Sequence, residues 1–375
     1  MISKKTRVTF NQIKEFLLKR GFVVKKSNKK LLNNDFKALY YTFLSSLSLI
    51  LIFFLIPTIV EFKKNTTIAS KEIENNSKTN FEKVLDKKNL KKFESTDEGL
   101  GTEYFEDILD DDVPDDSVRF SAQEIEKLFR ETDYNLINVR KTKLVQPFPI
   151  AHLPEEMKII QGTKKKKNLF IKIILPLILE ENNKVKLNRK KLFAILNKSN
   201  NSAVEKRWLN QKFKQYGVLN KDLLTLKIRM DIVPVSLAIA QAAKETGWGK
   251  SRFALEGNAL FGQWTWSGEG IKPAGADADT THKVMKFKVL KTSVKAYLRN
   301  LNTHSSYKKF RLVRAVLRDN GKNLDSLILV NYLDKYAATG EQYIVILKKI
   351  IKQNNLKDFD DVQLMPSSIQ LKSLV

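Results

Sequence analysis

The sequence predicts an α+β chain: a mainly helical body with a small β-hairpin lobe, preceded by a helical section, a flexible stalk and one transmembrane helix. Three observations predict it. Residues 38–60 run uncharged near the N-terminus. Helical spacing resumes at "SAQEIEKLFRE" (121–131) and recurs as far as "DIVPVSLAIAQAAKETG" (231–247). A Gly/Asp-rich loop then precedes "HKVMKFKV" (282–289), which alternates as a strand does.

The first element is "ALYYTFLSSLSLILIFFLIPTIV", residues 38–60. At ~1.5 Å per residue it reaches about 34 Å, enough to cross a hydrocarbon core of roughly 30 Å. Residues 1–37 carry eleven Lys/Arg against two acids, whereas residues 61–76 balance three against three. The positive-inside rule therefore places the N-terminal segment (1–37) in the cytoplasm and the rest beyond the membrane. The long leader and long apolar run favour an uncleaved anchor over a cleaved signal peptide. The expectation is a single-pass protein of the cell inner membrane, with its body in the periplasm or outside.

Residues 61–118 have linker composition: few large apolar residues and no sustained period. The acidic run "EYFEDILDDDVPDD" (103–116) lacks the spacing and turn glycine of a calcium loop, and reads as a solvated segment. Net charge is +26, distributed as +10 over residues 1–64, −8 over 65–118 and +24 over 119–375. A basic body suits a polyanionic partner. Nucleic acid fits the sign but not the compartment, while anionic wall polymer or lipid headgroups fit both. Cysteine is absent, and the three histidines (His152, His282, His304) form no ligand-spaced cluster, so neither disulfides nor a metal site is expected.

A helical section is expected over 119–228. Ser121 with Glu124 has the capping-box spacing. "KKNLFIKIILPLILEENNKV" (166–185) is strongly apolar, but its uncharged stretch, 173–179, is too short to span a membrane. It reads as a buried helix bent near Pro176. "KKLFAILNK" (190–198) and "EKRWLNQKFKQYG" (205–217) read as separate amphipathic helices.

The body is expected over 229–357, with 358–375 as a tail. Its central helix has Pro234 at the start and Gly247 just past the end, the usual asymmetry of an α-helix. Between Val235 and Ala243 only Ser236 and Gln241 are polar, so this helix is buried nearly all round. Gly249-Lys250-Ser251 resembles the end of a phosphate loop. That motif needs a glycine five residues before Gly249, where Lys244 stands, and a strand where a helix precedes it. Both counts speak against nucleotide binding, and none is expected.

Glu245 is left at the end of that buried helix. The negative helix pole, and burial beside Trp248, would raise its pKa toward that of a general acid. The alternative is an ordinary surface carboxylate in a last turn. After it come Asn258, Phe261, Trp264 and Trp266, and then loop carboxylates Glu269, Asp277 and Asp279. Aromatic rings flanking carboxylates suit a carbohydrate cleft, because they stack on the apolar faces of sugars; ordinary tryptophan packing is the competing explanation.

"VPVSLAIAQAAKETGWGKSRFALEGNALFGQW" resembles the catalytic segment of glycoside hydrolase family 73, and within it the Bax-like branch that carries a glucosaminidase domain. The shared pattern is A-Q-A-x-x-E-[S/T]-G-W-G-x-S followed by N-x-[L/F]-F-G. "KFKVLKTSVKAYLRNLNTHSSYKKFR", "YAATGEQY" and the upstream "FIKIILPLIL" are further likenesses, which together cover roughly residues 120–355. The resemblance implies a lysozyme-like fold that hydrolyses the β-1,4 bond after N-acetylglucosamine in peptidoglycan, without metal or organic cofactor. By motif, Glu245 matches the general acid and Tyr336 a cleft tyrosine. Tyr343 lies seven positions after Tyr336, where the broader family has six, which leaves the role of each tyrosine open. Glu269 is chosen as second carboxylate over Asp277 or Asp279. Trp248, Asn258, Phe261, Trp264, Trp266, Tyr336 and Tyr343 are the expected substrate-binding set. Glycan strands are the expected partner, with no nucleic acid. A lytic transglycosylase, or a non-catalytic wall-binding protein, are the alternatives.

Overall fold

The computed structural model describes residue 108 and residues 117–265, 270–272 and 283–365. The expected anchor, 38–60, lies outside the described residues, as do Trp266, Glu269, Asp277 and Asp279. Among the described residues no helix is long and apolar enough to cross a membrane.

The elements in order are α1 (Ala122–Glu131), α2 (Leu136–Thr142), β1 (Leu144–Val145), α3 (Thr163–Leu196), α4 (Ala203–Gln215), α5 (Leu223–Arg229), α6 (Val235–Thr246), α7 (Arg252–Gly257), β2 (Trp264–Thr265), β3 (Gly270–Ile271), β4 (Lys283–Met285), α8 (Leu290–Thr303), α9 (Lys308–Asp319), α10 (Ser326–Leu329), α11 (Glu341–Gln353) and β5 (Gln363–Leu364). The molecule is mainly helical with two small sheets. One is a parallel pair, β1 with β5; the other is antiparallel in the order β2-β4-β3. The expected hairpin lobe is therefore three-stranded. Its central strand ends at Met285, short of the alternation in "HKVMKFKV", because the next backbone groups go elsewhere. Phe287 N–H donates to the Gly257 carbonyl, and the carbonyls of Phe287 and Lys288 accept from the Asn258 amide.

Ser121 and Glu124 form the capping box of α1, with Glu124 N–H on Ser121 Oγ and Ser121 N–H on the Glu124 carboxylate. The two helices expected over 166–185 and 190–198 are one. α3 runs unbroken for 34 residues, because "EENNKVKLNRK" contains no breaker and Lys184 pairs with Glu180 and Glu181 one turn back. Pro176 sits inside α3 and has no N–H for the carbonyl of Lys172, four residues earlier. That carbonyl accepts instead from the buried Tyr134 hydroxyl at 3.0 Å.

α6 is the axis of the core. Ten of its twelve residues are buried, and it packs against α3, α11 and the short 3-10 turn Leu356–Phe359. Pro234 starts it without a side-chain cap. Asp360 supplies one from across the fold, taking Ser236 N–H on one oxygen and Ser236 Oγ on the other, each at 2.8 Å. This corrects the expected tail at 358. Phe359 and Val362 are buried, and residues 363–364 pair with β1, so the fold continues to the end of the described chain. The stalk needs a correction too. Ile108, inside its acidic run, is fully buried among Ala259, Val284, Met285, Phe287 and Ala296.

The helical section and the body share an ionic core. Buried Asp231 receives Arg318 from α9 at 3.1 Å and approaches Arg189 of α3 at 3.8 Å. Although burial pushes the Asp231 carboxyl up, the surrounding arginines win and hold it below the usual range. Arg314, with no exposure, donates to the carbonyls of Ile228 and Arg229 at the end of α5 and of Asp231 and Ile232 just beyond it, and so ties α9 to the start of the α6 segment.

Candidate active site

Glu245 is the penultimate residue of α6 and is half-buried. The chain leaves the helix through three successive left-handed residues, Gly247, Trp248 and Gly249 (φ 57°, 62° and 84°). Thr246 holds this turn: its hydroxyl donates to the Ala242 carbonyl and accepts from Gly249 N–H. Gly249 is needed for space as well as angle, since a Cβ there would lie 3.0 Å from Met157 Cε and 3.1 Å from Phe170 Cδ2. Ser251 then caps α7 through Ala254 N–H. The residues that imitate a phosphate loop are thus a helix stop followed by a helix cap.

The partners of Glu245 come from distant elements. Tyr343, at the start of α11, donates its hydroxyl to Oε1 at 2.8 Å. Oε2 faces Gly262, where a Cβ would stand 3.5 Å from it; a φ of +63° also favours glycine there. Burial pushes the Glu245 carboxyl above the usual range. The Tyr343 hydrogen bond and the positive charge of Lys244 pull it back, but burial prevails. The net shift is toward the protonated form, the direction a general acid requires. Trp248 faces α3. Its ring meets Phe170 edge-on, with centroids 5.8 Å apart, and Lys167 Nζ lies 4.8 Å above it.

Tyrosines form the wall beside the carboxyl. Tyr343 and Tyr336 stack, centroids 5.5 Å apart at 7°, and Tyr307 packs 5.8 Å from Tyr336. Burial raises all three hydroxyl pKa values and the negative charge of Glu245 adds to it, that of Tyr307 reaching about 12, so the phenols stay protonated. Tyr336 donates its hydroxyl to the Phe261 carbonyl. Among the described residues no group of three or more His, Cys, Asp or Glu is placed to hold a metal ion.

The glucosaminidase family model, described as mannosyl-glycoprotein endo-beta-N-acetylglucosaminidase, matches residues 220–356. Protein bax of Escherichia coli K12 is 32% identical over 199 residues, which cover 52% of this chain and 71% of the relative. The chain belongs to the Bax-like family of glucosaminidase-domain proteins. The catalytic domain of the autolysin Auto from Listeria monocytogenes, known from its crystal structure, is 22% identical, covering 47% of this chain and 97% of that one at a TM-score of 0.28.

In this Bax-like chain the expected site residues do not all converge. Glu245, Tyr336 and Tyr343 come together, and the tyrosine that touches the carboxyl is Tyr343, not Tyr336. Trp264 stands 44% exposed on β2, two residues along from Gly262. Asn258 and Phe261 are buried structural parts, against the expectation that they bind substrate. The Asn258 amide bridges the carbonyls of Phe287 and Lys288 and meets His152 Nδ1, while Phe261 stacks on Tyr297 at 3.8 Å. Trp248 is spent on Phe170 and Lys167. Sequence reasoning passed over Gln241, Tyr297 and Tyr307. Only Gln241 carried a local signal, as a polar residue four positions before Glu245 in an otherwise apolar helix.

Proposed function

We propose that this protein is a membrane-anchored peptidoglycan hydrolase, an endo-β-N-acetylglucosaminidase with Glu245 as its general acid. The observation that supports this best is the carboxyl itself: half-buried, held on one oxygen by Tyr343, with Gly262 facing the other. Protonation of the glycosidic oxygen by Glu245 assists departure of the leaving sugar. A loop carboxylate, with Glu269 the first choice, or the substrate's own acetamido group, meets the positive charge that develops. Tyr336, Trp264 and Trp266 offer rings to the sugar faces. The glucosaminidase family supports a glycoside hydrolase, and the basic body supports an anionic wall substrate.

Product analysis tests the reaction. Purified sacculi digested by the full chain should yield N-acetylglucosamine at new reducing ends. Anhydro-muramic ends would make the enzyme a lytic transglycosylase, and no release at all would favour a wall-binding role. Anchoring through residues 38–60 rests on the sequence. A reporter fused after Val375 should be active only beyond the cytoplasm, and activity inside would overturn the topology.

A further inference from the structure

We infer that Gln241 and Tyr297 are positioning residues that lock Tyr343 as a donor to Glu245 Oε1, and so assign Oε2 as the oxygen that delivers the proton. This rests on Glu245 being the general acid.

Gln241 lies one turn before Glu245 on the same face of α6 and is wholly buried. Both ends of its amide are engaged. Oε1 accepts from the Tyr297 hydroxyl at 2.7 Å, and Nε2 donates to the Tyr343 hydroxyl oxygen at 3.1 Å. Tyr343 in turn donates to Glu245 Oε1 at 2.8 Å. Each donor in this chain points toward the carboxylate. Because the Tyr343 oxygen already accepts from Gln241, its own proton is directed at Oε1, and Oε1 stays an acceptor whether or not Glu245 is protonated. The acidic proton then belongs on Oε2, the oxygen beside Gly262. Tyr297 begins the relay from a fixed place, buried and stacked on Phe261 with its ring inclined by only 8°. Phe261 is itself held through its carbonyl by Tyr336. A hydrogen-bond chain of one sense in a water-poor site polarises each of its members toward the charge it ends on.

The direction of the effect follows. Donation to Oε1 favours the carboxylate, so breaking the relay favours the protonated form and moves Glu245 upward. Among the described residues the other groups facing Glu245 are Lys244 on its own helix, Tyr307 before α9, and Tyr336 before α11. None of them changes in Tyr297→Phe or Gln241→Met.

The experiment is the pH profile of kcat on sacculi for the full chain, its Tyr297→Phe and Gln241→Met variants, and Glu245→Gln. In both relay variants the alkaline limb should move up by about half to one pH unit. Their kcat at the optimum should fall roughly three- to tenfold with KM unchanged. Tyr297→Phe keeps the ring on Phe261, so it carries the test if Gln241→Met fails to fold. Profiles that superimpose on the parent while Glu245→Gln is inactive would overturn the relay alone. An active Glu245→Gln would overturn the reading beneath it.

Discussion

Tyr343 and Glu245 are 98 positions apart in sequence and 2.8 Å apart in space, hydroxyl to carboxylate. The contact joins the end of α6 to the start of α11 and pulls the proton affinity of the candidate acid down against burial. Removing it in Tyr343→Phe leaves burial unopposed by this bond, so the alkaline limb of activity should rise. The same change strands the buried Gln241 amide, and should cost about 1–3 kcal/mol in denaturant unfolding. A limb that stayed in place would show that the bond does not tune the acid.

Trp264 and Asn258 were expected to serve alike, and the structure separates them. Trp264→Ala removes a ring that stands 44% exposed, so KM should rise about tenfold, equivalent to ~1.4 kcal/mol of binding, with a smaller loss of stability than at Asn258. Asn258→Ala strands two backbone carbonyls at a left-handed position (φ 51°), and should lose about 1–3 kcal/mol of stability. Kinetics and urea melts on the two variants check this. The reverse pattern would return Asn258 to the substrate-binding set.

Asp360 holds the far end of the same helix. Asp360→Ala should cost about 1 kcal/mol through loss of the Ser236 cap. Burial raises its carboxyl from the ordinary 3.8 to about 6. A raised acid means that the folded state holds the proton more tightly, so its contribution is complete below the unfolded pKa. It declines as pH rises through the window from about 4 to 6. Asp360→Asn should flatten stability across that window, and an unchanged slope in urea titrations would exclude Asp360 as its source.

Tyr134 and Pro176 form a compensating pair. Tyr134→Phe leaves the Lys172 carbonyl without its partner and should cost about 1–2 kcal/mol. Pro176→Ala returns an N–H to α3 for that same carbonyl, so the double variant should lose less than the sum of the singles. Simple additivity would disprove the link.

Much of the frame was legible because it is local. The cap at Ser121, the stop at Gly247 and the apolar run before Glu245 are written in adjacent residues, and the helix-end carboxyl follows from them. The unity of α3 was hidden because a polar surface turn and a linker have the same composition. What surrounds Glu245 was not legible in the same way. Trp248 is the nearest ring in sequence, yet a left-handed turn swings it onto Phe170. Tyr297, Tyr307 and Tyr343 reach the site only through the packing of α8, the turn before α9, and α11 around α6. Ile108 shows the same limit, since a single anchoring side chain leaves the composition of an acidic stretch unchanged.

The central claim is that Glu245 donates the proton, and Glu245→Gln tests it most directly. Muropeptide release from sacculi should fall by at least ~100-fold, on the scale of a lost general acid. The variant should also melt higher than the parent at neutral pH, because an ionised carboxylate with a raised pKa burdens the fold above its unfolded value and a neutral amide does not. A folded Glu245→Gln that digests sacculi at the parent rate would contradict the account.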